Sequence, residues 1–105
     1  MTKHVLLLGK KGVVVADVVQ ALNRPDIEIY TGTSENDVLE VFSKHTIDTV
    51  IMGAGLDIED RLTIIRTIFA MSDSTTIHMK DFASGQQGMM PFVQAILTGL
   101  DSLPT

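Results

Sequence analysis

The sequence predicts a three-layer α/β/α domain built on a four-stranded parallel sheet, and three observations carry that expectation. Four short apolar runs, His4–Leu8, Ile27–Tyr30, Thr49–Met52 and Thr76–Met79, each end in a polar or glycine break, and a stretch of helical spacing follows each one. Val5-Leu6-Leu7-Leu8 is continuously apolar rather than alternating, as a strand covered on both faces requires. The chain has 105 residues, which is room for one domain (1–105) and one core.

The first strand is expected over Lys3–Leu8, with the turn at Gly9-Lys10-Lys11-Gly12. A helix follows from about Gly12 to Asn23. Its valines (Val13, Val14, Val15, Val18, Val19) have poor intrinsic helix propensity. Pro25 stops it, because proline disfavours helix for the residue before it. The second strand is Ile27–Tyr30, and Thr31-Gly32-Thr33 is expected to break it. Ser34 is a good N-cap for the helix Glu35–Lys44, whose buried side chains are expected to be Val38, Leu39, Val41 and Phe42.

Strand three, Asp48–Met52, ends in Gly53-Ala54-Gly55. Asp57, Glu59 and Asp60 then stand where a helix dipole favours anions. Ile58, Leu62, Ile65 and Phe69 follow helical spacing and are expected to form the inner stripe of the third helix. Strand four is Thr75–Met79, followed by the polar stretch Lys80–Gly88. The final helix is Met89–Leu100, with Pro91 in its first turn and Thr98-Gly99 weakening its end. Such a sheet is flavodoxin-like or Rossmann-like, of order 2-1-3-4 or 3-2-1-4, and places ligands at the carboxyl ends of its strands.

Composition narrows the function. Apolar residues make up 45% and charged residues 20%, which is a globular rather than a disordered balance. The net charge is −5 and the basic residues form no stripe, so nucleic acid is not an expected partner. Without cysteine there is no disulfide, thiolate or cysteine-based zinc chemistry. No apolar stretch approaches the roughly 20 residues of a membrane span, and none reads as a signal peptide, so a cytoplasmic chain with no membrane contact is expected.

Three short stretches would line one crevice at the carboxyl rim: Gly9-Lys10-Lys11-Gly12, Thr31-Gly32-Thr33-Ser34 and Gly53-Ala54-Gly55. Small residues there let a ligand or another backbone come close; as ordinary turns they would only relieve backbone strain. With Lys10, the hydroxyls of Thr31, Thr33 and Ser34 could suit the 2′-phosphate of an NADP-like nucleotide. No P-loop pattern is present. Asp57, Glu59 and Asp60 read as helix-start acids rather than a metal cluster. His4, His45 and His78 lie on different elements. Ser84, His78 and Asp81 lack the context of a nucleophile elbow. No catalytic or metal-ligating set is assigned, and an enzyme using Asp57 or His78 is the third-ranked alternative.

Over Val5–Leu22 the turn resembles that of the atypical short-chain dehydrogenases, G-x-x-G-x-x-G, but Val15 stands at the third glycine. A wider likeness runs through Asn36–Phe42, Ile47–Met52, Gly55-Leu56-Asp57, Leu62–Arg66 and Thr75-Thr76-Ile77. Over this stretch, a little under half the chain, the sequence resembles a receiver domain of bacterial two-component signalling. That family's chemistry requires two acids after strand one, an aspartate after strand three and a lysine after strand five. The matching positions hold Gly9, Lys10 and Gly53, and Lys80-Asp81-Phe82 follows strand four with no proline.

The resemblance therefore implies a degenerate receiver-like module, phosphotransfer-incompetent, that works through a protein partner or a second copy of itself. A homodimer would use either the methionine-rich helix Met89–Leu100 or the sheet edge, because an exposed parallel edge is usually blunted or paired. The alternative is a nucleotide- or NAD(P)-binding domain using the Gly9–Gly12 turn.

Overall fold

The fold, taken from a computed structural model, is described for residues 2–9, 15–53, 55–80 and 89–101. Its elements are β1 (Lys3–Leu8), α1 (Val15–Leu22), β2 (Ile27–Gly32), α2 (Glu35–Lys44), β3 (Thr49–Met52), α3 (Ile58–Met71), β4 (Thr76–Met79) and α4 (Met89–Asp101). The four strands form one all-parallel sheet in the order β2-β1-β3-β4. This is the flavodoxin-like order, and it excludes the 3-2-1-4 alternative. β1 pairs with β2 on one side and β3 on the other, so the strand order reverses beside it.

Alternation along the central strands divides the interior into two cores. Leu6 and Leu8 of β1, with Val50 and Met52 of β3, face α2 and α3, where they meet Val38, Ile64 and Ile68. Val5, Leu7 and Ile51 face the other way, onto Val18 of α1 and Val93 and Leu97 of α4. Both faces of β1 are thus covered over Val5–Leu8, which is why that part of the strand is apolar without a gap. Each fully buried leucine contributes roughly 1.5–3 kcal/mol over an exposed one. At the amino end, Asp48 locks three strands. Its carboxylate accepts from the His4 N–H at 2.8 Å, its own N–H donates to the His4 carbonyl at 2.9 Å, and its carbonyl accepts from the Thr76 N–H at 3.1 Å.

The helix caps follow local chemistry. Ser34 Oγ accepts from the Asp37 N–H at 3.3 Å, and Asp57 Oδ1 accepts from the Asp60 N–H at 3.0 Å. α1 closes at Asn23, whose φ of 50° is left-handed and whose N–H donates to the Val19 carbonyl at 3.0 Å. Asparagine tolerates that conformation better than most residues. The start expected for this helix, 12–14, lies outside the described residues.

Three expectations are corrected. β2 does not break at Thr31 but continues through Gly32, because β1 still offers ladder partners there: Leu7 pairs with Thr31 and Leu8 with Gly32. Leu39 is exposed rather than buried, since Val38 takes the inward position and Val41 and Phe42 fill the half-buried flank. In α3 the inward residues are Arg61, Ile64 and Ile68. Of the expected inner stripe only Ile65 is half-buried; Ile58, Leu62 and Phe69 are 54%, 39% and 57% exposed. Two apolar stripes a quarter-turn apart share this helix, and an arginine in the inner one hid it from a hydrophobicity reading.

Gly32 has a packing reason to lack a side chain. A Cβ there would meet Asp37 Cβ at 2.8 Å and Leu8 Cδ2 at 3.1 Å, whereas one at Gly99 meets nothing within 4 Å. Gly32→Ala should therefore destabilise by about 1–3 kcal/mol through overpacking. Gly99→Ala, in the body of a helix, should stabilise by roughly 0.5–1 kcal/mol. Urea midpoints of the two variants should move in opposite directions.

Candidate functional site

The parallel ladders bring the rim glycines together. The Gly9 N–H donates to the Gly32 carbonyl at 3.2 Å, the Gly53 N–H to the Leu8 carbonyl at 2.7 Å, and the Lys80 N–H to the Met52 carbonyl at 2.9 Å. Gly9, Gly32 and Gly53 thus occupy one edge, as the sequence suggested. Lys10, Lys11, Gly12 and Ala54 lie outside the described residues, and Gly55 is exposed in the turn before α3.

Arg61 ties together the β3 and β4 end of the rim. This side chain is buried, and its guanidinium donates to three carbonyls: Nε to Leu56, Nη1 to Lys80 and Nη2 to Gly53, each at 3.0 Å. One planar fork joins the ends of β3 and β4 to the loop leading into α3, a geometry that lysine cannot reproduce. Gly53 is buried, with its N–H and carbonyl both engaged.

At the end of β2 the hydroxyl-bearing residues are also committed. Asp37 Oδ2 accepts from the Thr33 N–H at 2.8 Å and from Thr33 Oγ1 at 3.2 Å. Those bonds, led by the Thr33 amide, hold the Asp37 carboxyl below its ordinary value of 3.8. Beside it opens a cavity of about 170 Å³, lined by Thr33, Ser34, Glu35, Leu56, Asp60, Thr63 and Ile64. Of the described residues of the expected site, Thr33 and Ser34 line it. Glu35 and Asp60, acids in the first turns of α2 and α3, make its walls negative, and Thr67 Oγ1 of α3 donates to Glu35 Oε2. Ligand pockets usually span about 300–1,000 Å³, so the cavity is too small for a whole dinucleotide.

A second polar cluster lies on the α2 face near the amino ends of the strands. Tyr30 Oη is 3.4 Å from Nδ1 of both His4 and His45, and the Tyr30 and His45 rings stack with centroids 4.4 Å apart. His4 Nε2 is 3.6 Å from Glu28 Oε2. Burial, then the Glu28 charge, pushes the Tyr30 phenol up. His4 and His45, far apart in sequence, thus share one tyrosine. His78 stands apart on β4, with Nε2 3.2 Å from Thr76 Oγ1, and burial pushes its imidazole down. Among the described residues no three histidines or carboxylates converge in a way that could hold a metal ion.

Fold and rim define an α/β domain of flavodoxin-like strand order in which a buried arginine joins the carboxyl ends of β3 and β4. No protein-family model matches the chain, and no curated protein matches it significantly. Among the described residues no helix is long and apolar enough to cross a membrane.

Two measurements follow. Arg61→Met leaves three carbonyls without their donor and should cost about 3 kcal/mol or more; Arg61→Lys should recover only part of it, read as urea midpoints. Because the folded pKa of Asp37 is depressed, its contribution is full above the ordinary value of 3.8 and is lost as pH falls through the lower folded value. Asp37→Asn should accordingly unfold at lower urea than the parent at neutral pH, with the gap closing as pH drops well below 3.8.

Proposed function

We propose that this chain is a non-catalytic binding or regulatory module, receiver-like in shape and unable to transfer phosphate, whose output is contact with a protein partner or with itself. The observation that carries the reading is at the end of β3. A receiver needs a carboxylate there; this chain has Gly53, whose carbonyl is bound by the Arg61 guanidinium. A buried cation at that place opposes a divalent metal, and glycine offers no phospho-acceptor. We place the module in the cytoplasm.

The alternative, a nucleotide- or NAD(P)-binding domain, draws support from Gly9 lying beside Gly32 at the rim. Against it stands the Asp37 carboxylate on Thr33, an anion where a 2′-phosphate would have to sit.

One experiment with two arms tests the reading. Incubated with a small-molecule phosphodonor, the protein should gain no acid-labile phosphate; incorporation on an aspartate would overturn it. Incubated with NAD, NADP, ATP, AMP or FMN, it should show no rise in melting temperature. A ligand at about 100 times its dissociation constant would add roughly 2.7 kcal/mol, which a thermal melt resolves easily.

A further inference from the structure

We propose that a second copy of this chain docks on the face formed by the outer flank of α3 and the outer edge of β4, giving an antiparallel, two-fold symmetric dimer. The proposal rests on the reading of the chain as a contact module and names its partner.

Helix geometry places the flank. At 100° per residue, α3 has distinct sides. Arg61, Ile64 and Ile68 point into the core. Thr67 reaches Glu35 of α2, and Asp60 and Thr63 line the cavity against the start of α2. The side remote from α2 carries Ile58, Leu62, Ile65 and Phe69, about a quarter-turn from the core direction, so it looks along the sheet toward β4. The register Met52↔Met79 puts Met79 on this same face, where it is 44% exposed.

Edge chemistry adds to this. β4 is the last strand, and among the described residues nothing pairs with its outer side. It carries no lysine, glutamate or proline over Thr76–Met79, whereas β2, the opposite edge, presents exposed Glu28 and follows Pro25. Natural edges are blunted by such residues, so β2 is protected and β4 is not.

The occupant is indicated by self-complementarity. The stripe is symmetric about the point between Thr63 and Ile64. A two-fold axis normal to the sheet at that height sets Ile58 against Phe69 of the second copy, and Leu62 against Ile65. Glu59 and Arg66 flank the stripe on its solvent side. They lie seven residues apart, about 10.5 Å along the axis, too far to pair within one helix. Both are exposed, and among the described residues neither has an ion-pair partner. In the antiparallel arrangement each meets the opposite charge of the second copy; in a parallel one, like would meet like. The same axis runs β4 antiparallel to its copy and supplies ladder partners to its bare edge. One symmetry operation satisfies the stripe, the charges and the strand.

Sedimentation velocity at micromolar concentrations tests this, the expected species having twice the 11.4 kDa chain mass. Glu59→Arg and Arg66→Glu should each raise the dimer dissociation constant about tenfold, and the double exchange should restore it, as a pairwise coupling demands. Phe69→Asp should give a monomer that still unfolds cooperatively, at a urea midpoint below the parent's because the stabilisation by self-association is lost. A monomeric parent, or an exchange variant no tighter than the single ones, would overturn the proposal and leave the face to this chain's own residues or to another protein. A monomer that also binds no nucleotide and accepts no phosphate would sink the dimer alone, whereas phosphate incorporation would sink the contact-module reading whatever the mass.

Discussion

The structure depends on one buried guanidinium. A parallel sheet ends at its carboxyl rim in carbonyls that the next elements must satisfy, and burying them unpaired is costly. Arg61 answers for three at once, at Leu56, Gly53 and Lys80. Three contacts from one planar group fix more than a rim. They set the rotation of α3 about its own axis, because Arg61 has to point inward and Ile64 and Ile68 follow on the same side. Once that rotation is set, Ile58, Leu62 and Phe69 are turned out to solvent. The exposed stripe is thus a consequence of the clamp, and the hydrophobic effect acting on α3 alone would have chosen the other face.

Strands were the most legible part of the sequence. β1 matched Lys3–Leu8 at both ends, its buried part Val5–Leu8 being continuously apolar as a strand covered on two faces requires. β2 was read two residues short, because Thr31 and Gly32 look like a break until β1 supplies partners for them. The rotation of α3 was illegible for a reason that generalises. A charged residue at a core position inverts the pattern that periodicity reads, and only its carbonyl partners, 5, 8 and 19 residues away, explain it.

Of the candidate site, the meeting of three strand-end glycines was legible in the sequence. Gly9, Gly32 and Gly53 do meet at one rim, as glycines ending neighbouring parallel strands should. Smallness at Gly32 serves close packing, and at Gly53 the backbone carbonyl is engaged by Arg61. Glu35 and Asp60 were visible as acids in first turns, but that α2 and α3 begin side by side depends on both crossing to the same face of the sheet. The His4–Tyr30–His45 contact lay further out of reach, because it joins three elements across the edge of the sheet.

Among the described residues, a tied β3–β4 end and an exposed α3 flank differ in chemistry. Switching requires an element with two arrangements whose balance a ligand can shift. The end of β3, where a receiver holds its trigger, is here bound to α3 and β4 through Arg61, and displacing that side chain would strand its charge and three carbonyls together. The cost of breaking such a buried constellation is several kcal/mol, a large part of the total stability of a domain this size. Among the described residues, the ends of β3 and β4 are therefore tied to one another rather than left free to rearrange. In the proposed dimer, contact through the α3 flank would be governed by what meets it and at what concentration.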